Sequence, residues 1–108
     1  MQLIIKTENG VVERFPTEGK VGLIEVFISF ILSESNEDIK FIKTLPLIAH
    51  IDPYADTYIN STQAPIYIEE FEKVIEYTKE ENLKTYCHLV VDELKKLQRC
   101  NFLVFSGD

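Results

Sequence analysis

The sequence predicts an α+β fold: a small antiparallel sheet, made of an N-terminal hairpin plus a C-terminal strand, packed against an antiparallel helical hairpin. Three observations predict it. Two short apolar runs rich in β-branched residues flank Asn9-Gly10 near the start. Two stretches between 63 and 99 repeat their apolar residues at three-four spacing. An aromatic and β-branched run, Phe102-Leu103-Val104-Phe105, follows them. With 108 residues, 45% hydrophobic and 27% charged, the chain suits a single domain over 1–108. A chain of that size buries a real core without metal or disulfide help.

The hairpin comes first. Gln2 to Thr7 and Val11 to Phe15 are its strands, and Asn9-Gly10 suits a type I′ turn, whose positive φ values both residues tolerate. Pro16 ends the second strand because it cannot donate to a ladder. Val21 to Leu32 fits two patterns. As a helix it aligns Gly22, Glu25, Ser29 and Ser33 on one polar stripe. As a strand it puts Ile24, Val26, Ile28, Phe30 and Leu32 on one face. The polar spacing favours the helix. Residues 33–38 read as a polar connection. Residues 39–47, cut by Pro46, read as a packed irregular segment with at most a helical turn.

Two helices are then predicted. The first runs from about Gln63 to Lys79, with Pro65 in its first turn and Ser61 or Thr62 as its cap. Tyr67, Ile68, Phe71, Val74 and Ile75 form its apolar face, and Glu69, Glu70, Glu72 and Glu76 are expected to face water. Glu81-Asn82 breaks the pattern. The second helix runs from about Leu83 to Arg99, with Leu83, Tyr86, Cys87, Val90, Leu94 and Leu97 on one stripe. Lys95, Lys96 and Arg99 suit the negative end of its dipole. A short link makes the two helices antiparallel neighbours.

Composition narrows the function classes. The net charge is −7, from 18 acidic and 11 basic residues, and the basic residues are dispersed. Phosphate contacts need a basic patch, so nucleic-acid binding is not expected. An acidic surface instead steers a basic partner, or serves solubility alone. No apolar run approaches the roughly 18 residues of a membrane span, and the first residues lack a signal-peptide pattern, so a cytoplasmic protein is expected. Cys87 and Cys100 are then expected to be reduced, as small core fillers.

The densest cluster of hydrogen-bonding side chains lies at 50–60: His50, Asp52, Tyr54, Asp56, Thr57, Tyr58 and Asn60, with Pro53 among them. One reading is structural. Asp52 before Pro53 starts a turn, Asp56-Thr57 a second, and Asn60 leads into the helix. The other reading is a recognition surface. Tyr54 and Tyr58 supply rigid amphipathic area, and Asp52 and Asp56 supply acceptors for an Arg or Lys of a partner. The two are compatible, since a stiff turn makes a good platform.

A metal- or ligand-binding domain, or a small enzyme, built on His50, Asp52, Asp56 and Asn60 is a third reading, although their spacing matches neither an EF-hand nor a zinc motif. There is no Gly-rich phosphate loop and no nucleophile motif. His88 beside Cys87 reads as an exposed or core-edge histidine. No catalytic residue and no cofactor is therefore expected.

The second half, from about Pro46, resembles a family of small bacterial proteins that share an Asp-Pro-Tyr-Gly-Asp-Thr loop, then Phe-Asn and Gln, a Glu-rich helix, a second helix, and Gly-Asp after an aromatic strand. The counterparts here are Asp52-Pro53-Tyr54-Ala55-Asp56-Thr57, Ile59-Asn60, Gln63, Glu69-Glu70, Cys100 and Phe105-Ser106-Gly107-Asp108. Ala55 stands in place of Gly and Ile59 in place of Phe. Ala argues against a required positive φ at that position. Members of the family are similar to immunity proteins, small acidic partners that neutralise bacterial toxins. The resemblance therefore implies a non-enzymatic interaction protein that binds a basic toxin domain, with Asp52, Tyr54, Asp56, Thr57, Tyr58 and Asn60 at or near the contact. A purely structural role for the loop is the alternative.

Overall fold

The computed structural model describes the backbone of residues 2–7, 10–15 and 23–107, with side chains over 23–107. Strands β1 (Gln2–Thr7) and β2 (Gly10–Phe15) pair antiparallel, with a register shift after Ile5. Glu8, Asn9 and Pro16, on which the predicted turn and strand stop rest, lie outside the described residues. Helices α1 (Leu23–Ile31) and α2 (Asn36–Ile42) follow, then a 3-10 turn over Ile48–His50 and strand β3 (Thr57–Ile59). Helices α3 (Ala64–Tyr77) and α4 (Glu81–Lys95) and strand β4 (Asn101–Ser106) complete the order. The fold is α+β.

Among the described residues the sheet has four strands in the order β2-β1-β4-β3, every neighbour antiparallel. Strand β4 is central. It pairs with β1 from Gln2↔Ser106 to Thr7↔Asn101 and with β3 from Thr57↔Phe105 to Ile59↔Leu103. The fourth strand corrects the expectation of a loop throughout 50–60: Thr57 and Tyr58 belong to an edge strand.

One connected core joins helices and strands. Phe105 of β4 stacks on Phe71 of α3, with ring centroids 6.1 Å apart, and on Phe27 of α1 at 5.8 Å. Phe27 also stacks on Tyr86 of α4 at 5.1 Å. All four rings are buried, and Ile59 and Leu103 join them from the sheet. Val104 is buried as well, but strand alternation sends it to the opposite face.

Helix α1 resolves the ambiguous segment. Ile24, Phe27 and Phe30 are buried at a spacing of three, while Glu25 and Ser29 are exposed. A strand would have buried Val26 and Ile28 equally, and they are only half-buried.

Helix α2 corrects the polar connection and the irregular segment. Ser35 is its N-cap, accepting from the Asp38 N–H, and Glu37 and Asp38 sit favourably in its first turn.

Three further corrections concern helix ends and faces. The break between α3 and α4 falls at 78–80, and the Glu80 side chain caps α4 by accepting from the Asn82 N–H. Arg99 lies beyond α4, which ends at Lys95. Glu70 does not face water; it is 4% exposed. Its carboxylate accepts from the N–H of Leu47 (3.1 and 3.2 Å) and of Ile48 (2.9 Å), the donors that open the 3-10 turn. The cysteines also divide: both are free, Cys87 is buried, and Cys100 is exposed instead of filling core. Among the described residues no helix is long and apolar enough to cross a membrane.

Candidate functional site

The 50–60 segment is fixed by bonds at every step. His50 closes the 3-10 turn, its Nδ1–H donating to the Pro46 carbonyl. Ile51 and Pro53 are buried and anchor the segment on the core side. Asp52 then makes the turn that an Asp-Pro pair favours: its Oδ1 accepts from the Tyr54 N–H at 2.8 Å, and its carbonyl accepts from the Ala55 N–H at 3.2 Å. With Pro53 held down and Asp52 bracing the backbone, Tyr54 is pushed outward and is 75% exposed.

Asp56 reaches a different part of the chain. Its Oδ1 accepts from the Gly107 N–H at 2.9 Å and from the Ser106 Oγ–H at 3.4 Å. The approach is tight enough to dictate the residue: a Cβ on Gly107 would lie 2.2 Å from the Ala55 nitrogen and 2.5 Å from the Tyr54 carbonyl carbon. Gly107 is needed for space, because its φ is ordinary. The loop and the residues after β4 thus form one clasp.

Beyond the clasp, Tyr58 pairs with Val104 and sets its ring edge-on to Phe102, with centroids 5.9 Å apart. Tyr58 is 44% exposed. Asn60 and Gln63 close the segment with a reciprocal pair. The Gln63 N–H donates to Asn60 Oδ1 (2.9 Å), and the Asn60 N–H donates to Gln63 Oε1 (3.1 Å). This is capping-box geometry leading into α3. It corrects the expected cap: neither Ser61 nor Thr62 caps α3, whose N-cap position is Gln63, and the Asn60–Gln63 pair closes the turn before it.

The predicted site residues therefore divide by role. Asp56, Thr57 and Asn60 tie the segment to β4 and α3. Tyr54 stands out on the tied backbone, with the Asp52 carboxylate beside it in the turn. The second oxygens of Asp52 and Asp56 carry no hydrogen bond among the described residues. His50, Asp52 and Asp56 do not converge as metal ligands.

Two residues that organise this region are not read from the local pattern. Glu70 holds the 3-10 turn that delivers the chain to Asp52, and Gly107 makes room for it. For Glu70 the signal was present: it lies three residues after Tyr67 and four before Val74, on the apolar stripe.

Outside the loop, burial separates the two members of the Cys87-His88 pair. The Cys87 thiol is pushed up to about 12 by desolvation, while His88 is exposed. A thiol so disposed is a core filler and not a nucleophile.

Comparison with protein-family models, with curated proteins and with solved structures found no match for this chain.

Proposed function

We propose that this chain is a non-enzymatic interaction protein that binds a basic protein domain in the cytoplasm, in the role of an immunity protein neutralising a toxin, and that Tyr54 and Asp52 lie in the contact. The observation that carries this reading is the exposure of Tyr54 on a backbone held by Asp52 from within the loop and by Asp56 through Gly107. An aromatic ring presented on an already ordered backbone loses little conformational freedom on binding, so most of its buried area contributes to affinity. The Asp52 oxygen left over from the turn supplies an acceptor for a guanidinium or ammonium group. The net charge of −7 supports attraction to a basic partner. In this reading the frame is an antiparallel helical hairpin, α3 and α4, laid over one face of the sheet. The stacking of Phe71 on Phe105 supports that arrangement.

The experiment uses the product of the neighbouring reading frame as probe. The expected result is a secreted protein with a basic C-terminal domain that binds the purified chain. Tyr54→Ala should weaken that binding at least tenfold, about 1.4 kcal/mol, with an unchanged melting temperature. An adjacent product that does not bind, or binding indifferent to Tyr54→Ala, overturns the assignment.

The alternative in which the loop only braces the fold draws support from the Asp56–Gly107 clasp. Asp56→Ala separates the two readings. It lowers the melting temperature in both, but loosens the partner only where the clasp positions Tyr54.

A further inference from the structure

We draw no further inference here: the strongest candidate, the face of the sheet turned away from the helices, where the rings of Tyr58 and Phe102 meet edge-on beside the buried Val104, carries none because nothing in the structure shows what covers it.

Discussion

A carboxylate removed from water costs several kcal/mol unless hydrogen bonds replace its hydration. Glu70 meets that condition with the backbone. Two N–H groups that begin a 3-10 turn have no partner within the turn, and the Glu70 oxygens supply one to each. The bonds are charge-assisted, and they join α3 to a segment more than twenty positions earlier. Glu70→Ala should therefore destabilise the chain by about 3 kcal/mol, since two largely buried donors lose their acceptor. Glu70→Gln should cost roughly half as much, because the amide keeps one acceptor oxygen but turns a donor toward the backbone. Urea unfolding with an unchanged m-value measures both, and an Ala variant within about 0.5 kcal/mol of wild type would refute the assigned role.

Helix α2 depends on its neighbours. It is too short to be stable alone. Tyr77, the last residue of α3, donates from its hydroxyl to Asp38 Oδ1 at 2.7 Å. Ser33 donates to the other oxygen of the same carboxylate at 2.8 Å. Phe41 of α2 stacks on Tyr77 with centroids 3.9 Å apart. The hydrogen bond to Asp38 pushes the Tyr77 phenol up to about 12, with burial and the negative charge of Asp38 and Glu37 adding to it. The folded chain thus keeps this proton where the unfolded chain, near 10, has lost it. Its contribution to stability is whole below about pH 10 and disappears as the pH rises toward 12. Tyr77→Phe should cost about 1 kcal/mol at pH 8. The gap between wild type and variant should then close between pH 10 and 12. A gap that stays constant over that range would show that the phenol does not titrate as argued.

The same elements show what the sequence makes legible. Helices α3 and α4 are readable because each carries a long, consistent period, and strand β4 because it is an unbroken aromatic and β-branched run. Helix α1 is readable only in part: Gly22, Glu25, Ser29 and Ser33 fall at helical spacing, but Glu25 and Ser29 would also share one face of a strand, and it is the burial of Phe27 between them that decides for the helix. Helix α2 and strand β3 are not readable. In α2 the apolar residues Ile39, Phe41 and Ile42 lie too close together to show a helical stripe, and Ser35 caps a helix that tertiary contacts complete. In β3 three residues, Thr57-Tyr58-Ile59, sit between turn formers, too few to show alternation. Their partner β4 makes them a strand. At the site, the Asp52 turn is legible from Asp-Pro, but the Asp56–Gly107 clasp joins positions 51 apart and leaves no local pattern.

Over the whole molecule, the core separates the two thiols into different environments. Cys87 is buried and its thiol is pushed up to about 12, whereas Cys100 is exposed. A thiol reagent at pH 8 should label one equivalent in the native chain, at Cys100. The second should follow only as fast as the fold opens, which makes Cys87 a reporter of global unfolding. Rapid labelling of both would mean that the α4 core opens locally.

The central place of β4 carries one more consequence. Strand β1 pairs with β4 along its whole length, yet all the helices lie between them in the chain. Contacts of such high order form slowly, because a long loop must close before they are rewarded. On a ribosome the first hairpin leaves the exit tunnel long before the strand that will cover its inner edge. Until then an unsatisfied row of amides and carbonyls is open to other nascent chains. Production of this protein should be limited by aggregation during synthesis, and chaperones that hold extended segments should relieve it.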